Sequence, residues 1–129
     1  MFTGFNHIGY VVKDIDEMVS FMEKALGAKE IGRQAVPEAG QISCLIRVGE
    51  GMVELMAPIG NEGVVGKFLE KNGPGLHHVS LRTDDFDADC AHLEELGVKV
   101  FGKMAIGNSK VGFAHPGTTG GILYEIAQV

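Results

Sequence analysis

The chain repeats itself. Asn6-His7-Ile8-Gly9-Tyr10-Val11-Val12-Lys13-Asp14-Ile15-Asp16 aligns with His77-His78-Val79-Ser80-Leu81-Arg82-Thr83-Asp84-Asp85-Phe86-Asp87 at an offset of 71 residues. At that offset His7 falls on His78, Asp14 on Asp85 and Asp16 on Asp87, with Ile8/Val79 and Ile15/Phe86 as conservative pairs. Both segments run into a short amphipathic stretch ending in Leu-Gly, at Leu26-Gly27 and at Leu96-Gly97. Two copies of one sequence pattern must solve the folding problem the same way, so the repeat constrains the architecture before any single element does. The join falls near Asn72-Gly73-Pro74-Gly75.

Each copy opens on a strand. Residues 5–12 are rich in β-branched and aromatic side chains that alternate. Ile8, Tyr10 and Val12 point one way; Phe5, His7, Gly9 and Val11 point the other. A helix follows, with Asp16 as the expected N-cap and Met18, Val19, Phe21, Met22, Ala25 and Leu26 at helical spacing. Gly27 is a natural stop. In the second copy Asp87 is the expected cap, and Ala91, Leu93 and Leu96 supply the apolar face before Gly97. Three further strands are expected in each copy, near 29–35, 42–48 and 51–57, and near 98–105, 110–114 and 121–127. A helical piece from Val64 to Lys71 links the copies. The prediction is an α+β fold of two βαβββ modules within one domain of 129 residues. Module one covers about 1–60, the linker helix about 61–73 and module two about 74–129.

Composition narrows the function classes. The formal net charge is −6 and no Lys/Arg cluster occurs, which argues against nucleic acid as a partner. No apolar run approaches the roughly 20 residues of a membrane span, so no membrane partner is expected. Met1 leads into Phe2-Thr3-Gly4-Phe5 without the basic and apolar regions of a secretory signal. Cys44 and Cys90 cannot build a disulfide framework, and both features point to the reducing cytoplasm. The 19 glycines announce many tight turns or close backbone approaches.

The last predicted strand of each module carries one carboxylate among apolar neighbours, in Met52-Val53-Glu54-Leu55-Met56 and in Ile122-Leu123-Tyr124-Glu125-Ile126-Ala127. Each glutamate follows its module's histidine by 47 residues, so Glu54 and Glu125 obey the same offset as His7 and His78. Strand parity agrees. If Val53, Leu55, Tyr124 and Ile126 pack on helices, both glutamates face away from them, as do both histidines. One such histidine or glutamate alone reads most simply as structural. Two of each on one face, under one offset, point to a divalent metal site made of His7, Glu54, His78 and Glu125. Two imidazoles suit Zn²⁺, Ni²⁺, Co²⁺ or iron, and two carboxylates keep Mn²⁺ and Mg²⁺ compatible. His77 has the opposite parity and reads as structural or surface. His92 reads as solvent-facing on the second helix, and Cys44 and Cys90 as core. For His115, before Pro116, site-lining and structural roles are both open. Arg82 shares the parity of His78, and either an anionic group or a salt-bridged strand end suits it.

The same residues carry a resemblance to the vicinal oxygen chelate superfamily, and within it to the methylmalonyl-CoA epimerase family. It rests on Asn6-His7-Ile8-Gly9, Val36-Pro37-Glu38-Ala39-Gly40, Glu54-Leu55-Met56-Ala57-Pro58 and Lys67-Phe68-Leu69-Glu70-Lys71. It continues through Gly75-Leu76-His77-His78-Val79, Phe113-Ala114-His115-Pro116 and Gly120-Gly121-Ile122-Leu123-Tyr124-Glu125, and so spans nearly the whole chain. The resemblance implies a cupped mixed sheet around a divalent metal held at His7, Glu54, His78 and Glu125, with Co²⁺ expected first and Ni²⁺, Zn²⁺ or Mn²⁺ next, in a homodimer. It implies an acyl-CoA substrate whose α-proton is removed on one face and returned on the other, with Glu125 as the first candidate base. At least one epimerase of the family has a second glutamate where this chain has Ser43, so Glu54 is the expected second base. The loop Ile106-Gly107-Asn108-Ser109-Lys110 is shorter and less glycine-rich than in most epimerases. It is expected to border the substrate, with Lys110 either near a CoA phosphate or simply solvated. Glyoxalase I, a lactoylglutathione lyase, shares the four ligands but usually has Asp-Pro-Asp-Gly where His115-Pro116-Gly117-Thr118 stands here. A non-catalytic small-molecule binder is a further alternative, one that usually lacks the metal set.

Overall fold

A computed structural model describes all 129 residues. The elements are β1 (Phe2–Val11), α1 (Ile15–Leu26), β2 (Lys29–Val36), β3 (Gln41–Val48), β4 (Gly51–Pro58), α2 (Val64–Asn72), β5 (Gly75–Thr83), α3 (Phe86–Glu95), β6 (Val100–Ile106), β7 (Ser109–Ala114) and β8 (Tyr124–Gln128). Short 3₁₀ turns lie at Pro37–Ala39 and Pro116–Thr118. The order βαβββ thus occurs twice with α2 between, in a mixed α+β fold as expected. The chain divides into two compact units, Ile8–His77, and Met1–His7 together with His78–Val129. β1 therefore gives its first residues to one unit and its last to the other.

In the unit Ile8–His77 the strand order is β2-β3-β4-β1. One sheet face packs on α1 through Val12, Ile15, Val19, Met22, Cys44, Ile46, Leu55 and Ala57. The opposite face meets α2 through Val11, Met56 and Val65. Val11, the last residue of β1, and Val12 just after it serve the two faces, continuing the alternation of the strand. In the other unit the start of β1 is followed by β5, β8, β7 and β6. Its core joins Phe86 and Cys90 of α3 to Ile126 of β8, with Phe2, Leu93 and Val100 against them. Full burial of such aliphatic and aromatic side chains contributes roughly 1.5–3 kcal/mol each.

The repeat survives in the hydrogen-bond register. β1 and β4 pair in parallel as Ile8↔Val53, Gly9↔Glu54, Tyr10↔Leu55 and Val11↔Met56. β5 and β8 pair in parallel as Val79↔Tyr124, Ser80↔Glu125, Leu81↔Ile126 and Arg82↔Ala127. Every pair in the second set equals one in the first moved by the same sequence offset of 71. Parity alone does not determine which residues face each other across strands, and here the two ladders agree to the residue.

The helix caps differ from expectation in both copies, and in the same way. Asp14, not Asp16, caps α1; its Oδ1 accepts from the Glu17 N–H at 3.0 Å. Asp85, not Asp87, caps α3, accepting from the Ala88 N–H at 3.1 Å. Ile15 and Phe86, expected before the helices, are their first residues and are buried. Burying these large side chains draws the helix start back, and the aspartate that then lies in extended backbone becomes the cap. Asp16 is left to pair with Arg33, and Asp87 with Lys110 at 2.7 Å. Asp85→Ala should therefore cost about 1 kcal/mol in urea denaturation. Asp87→Ala, which loses one exposed ion pair, should cost less than about 0.5 kcal/mol. Equal costs would contradict the cap assignment. Gly27 closes α1 as expected, at φ +67° with its N–H on the Met22 carbonyl. β8 begins at Tyr124, later than expected, because Gly120 and Gly121 sit at φ +80° and +107° and hold a turn before it.

Candidate metal centre

Three of the four expected ligands converge within one unit. His7 comes from β1, His78 from β5 and Glu125 from β8. His78 stands two residues before Ser80 on β5, and Ser80 lies directly across from Glu125 of β8. The His7 and His78 Nε2 atoms are 3.0 Å apart. Glu125 Oε1 lies 3.6 Å from His7 Nε2, with only 13% and 15% of these two side chains exposed. The rings stand edge to face, with centroids 5.2 Å apart and planes at 83°. Phe113, paired with Glu125 on β7, turns its ring toward His78 at 6.4 Å.

The donor set suits a divalent cation. Neutral imidazole nitrogen is a ligand for Zn²⁺, Ni²⁺, Co²⁺ or iron, and a carboxylate supplies charge. Ligand atoms at right angles on one ion, with bonds of roughly 2.1 Å, lie about 3 Å apart, the spacing of the two Nε2 atoms here. The Ser80 hydroxyl donates to Glu125 Oε1 at 2.7 Å, an outer partner of the kind that orients a ligand carboxylate. His7, His78 and Glu125 thus form a candidate divalent-metal site.

Glu54 lies in the other unit, on β4, in register with Gly9 of β1 and Leu45 of β3. It lines a cavity of about 280 Å³ with Gly32, Arg33, Gln34, Ser43 and Leu45. Arg33 is tied down by both oxygens of Glu30, at 3.0 Å each, and by Asp16. Its guanidinium holds the Glu30 carboxyl below the ordinary carboxylate range. Ser43 accepts a hydrogen bond from Gln41 Nε2 at 2.9 Å.

The remaining candidates have structural partners. His77 sets its ring edge to face with Phe68 at 5.1 Å, and burial pushes its pKa down. His115 caps the Pro116–Thr118 turn, its Nδ1 accepting from the Gly117 N–H at 3.0 Å. His92 is exposed on α3, as expected. Lys110 is held by Asp87, and Arg82 donates to the Phe5 carbonyl at 3.4 Å. Cys44 and Cys90 are buried core thiols pushed up by desolvation. Ser80 is the residue that sequence reasoning missed. Its signal was present: it shares the parity of His78 and is the repeat equivalent of Gly9.

The βαβββ repeat and this histidine–carboxylate centre define a class. The chain belongs to the Glyoxalase/Bleomycin resistance protein/Dioxygenase superfamily, whose family model matches residues 6–114. More particularly, it is 31% identical to the ethylmalonyl-CoA/methylmalonyl-CoA epimerase of Cereibacter sphaeroides, with 96% of each chain covered. It is 30% identical to the mitochondrial methylmalonyl-CoA epimerase of Bos taurus, over 95% of this chain and 73% of that protein. Among solved structures it is similar to a variant of Streptomyces coelicolor methylmalonyl-CoA epimerase in complex with 2-nitronate-propionyl-CoA. That match has a TM-score of 0.88 at 30% identity and covers 99% of this chain and 98% of the other.

Proposed function

We propose that this protein is a metal-dependent epimerase of an acyl-CoA thioester, with methylmalonyl-CoA as the leading substrate. The observation that carries the reading is the convergence of His7, His78 and Glu125 in a chain whose near-full-length relatives are epimerases of that substrate class. Glu54 serves as the fourth ligand. Its support is the repeat: the offset of 71 residues that relates His7 to His78 also relates Glu54 to Glu125. The reading takes the chain as one vicinal oxygen chelate domain acting as a cytoplasmic homodimer. No helix is long and apolar enough to cross a membrane.

His7, Glu54, His78 and Glu125 would hold a divalent ion, Co²⁺ first, which would supply positive charge to stabilise a developing enolate oxygen. The chain's own residues do the rest. His7 and His78 offer their Nε2 atoms as ligands. Glu125 takes the α-proton on one face of the carbon, and Glu54, its repeat equivalent, serves the other. Ser43, whose hydroxyl already accepts from Gln41, supplies no base. The test is deuterium incorporation at the α-carbon of methylmalonyl-CoA in D₂O with Co²⁺-loaded protein. Incorporation together with loss of the stereochemical distinction is expected. The carboxylates at both Glu54 and Glu125 favour a second reading, a glyoxalase I-type lyase. Absence of exchange combined with turnover of a glutathione hemithioacetal would move the assignment there.

A further inference from the structure

We infer that Ser80 is a positioning residue for Glu125, selecting which carboxylate oxygen faces the histidine pair. This rests on the metal-site reading above and extends it beyond the four ligands. Ser80 is 0% exposed and sits on β5 directly opposite Glu125 of β8. Its hydroxyl donates to Oε1 at 2.7 Å, the short range of a charge-assisted bond to carboxylate. The oxygen it holds is the one 3.6 Å from His7 Nε2. The terminal torsion of a glutamate is broad and nearly two-fold, so without a donor its two oxygens exchange places readily. A fixed hydroxyl removes that freedom. It dedicates Oε1 to the histidine side and leaves Oε2 for the substrate's proton. No solvent reaches Ser80 to replace the lost donor, so alanine leaves Oε1 one partner short. The repeat equivalent is Gly9, which has no side chain, so this clamp belongs to the second module alone and distinguishes two glutamates that the repeat otherwise makes equivalent.

The experiment reads metal binding without substrate. Apo protein competes with a chromogenic chelator for Co²⁺, and the visible spectrum of the Co²⁺ form is recorded. Ser80→Ala should weaken Co²⁺ binding about tenfold, the lower end of what an outer-partner mutation costs, and should shift the spectrum. In the exchange assay kcat should fall by a similar factor, with KM within about twofold. Ser80→Thr keeps the hydroxyl and should restore both. If its extra methyl prevents folding, Ser80→Cys, close in size and a weaker donor, should fall between serine and alanine. A folded Ser80→Ala that binds Co²⁺ as the wild type does, with an unchanged spectrum, overturns the inference and leaves the metal site standing. A wild-type protein that binds no Co²⁺ overturns both.

Discussion

Glu125→Gln should lower α-proton exchange by roughly 10²–10⁴-fold, the span that a positioned base contributes. The substitution is close to isosteric, and the glutamine carbonyl can still accept the Ser80 hydroxyl that now sits 2.7 Å from Oε1. Folding should therefore be preserved, with the melting temperature of the apo protein within a few degrees of wild type. The amide cannot take a proton from carbon, so the loss falls on kcat. Glutamine is also the weaker ligand, which is why the measurement is made at saturating Co²⁺, with the bound ion quantified alongside. Exchange within about threefold of wild type, with the ion bound, would remove Glu125 as a base.

The second large effect concerns the ion. If His7, His78 and Glu125 bind it only in the folded state, Co²⁺ at 100 times its Kd stabilises the fold by about 2.7 kcal/mol. For a chain of this length that is a rise in melting temperature of roughly 10 °C over chelator-treated protein. Chelation should abolish exchange, and Co²⁺ should restore it. His78→Ala should erase the rise, because His78 is only 6% exposed and its Nε2 is 3.0 Å from that of His7. The variant keeps the apolar pairing of Ile126 with Phe86 and Cys90, so it is expected to fold. A Co²⁺-dependent rise that persists in His78→Ala would place the ion elsewhere.

Most of the architecture was legible because the repeat doubles every signal. Periodicity that is ambiguous in one copy is tested by the other, and all eight strands and three helices lie close to where the pattern put them. The errors were also doubled. Asp16 and Asp87 looked like caps because an aspartate before a helical stretch is the usual mark. The decision between Asp14 and Asp16 depends on whether Ile15 is buried, and that is a property of packing. His115 could not be assigned because its role depends on a turn, Pro116–Thr118, whose N–H groups need an acceptor. Lys110 and Arg82 were each open between an anionic group and a surface role, and only the structure shows their partners, Asp87 and the Phe5 carbonyl.

The sequence by itself determined the repeat, the βαβββ order and the identity of the paired histidines and glutamates, since residue type, spacing and parity are properties of a chain in one dimension. Only the tertiary structure decided that Ser80 faces Glu125 across two parallel strands and that the two imidazole nitrogens stand 3.0 Å apart. Register and side-chain distance are set when strands far apart in sequence, here 45 residues for Ser80 and Glu125, are locked together by packing. No local pattern contains that information.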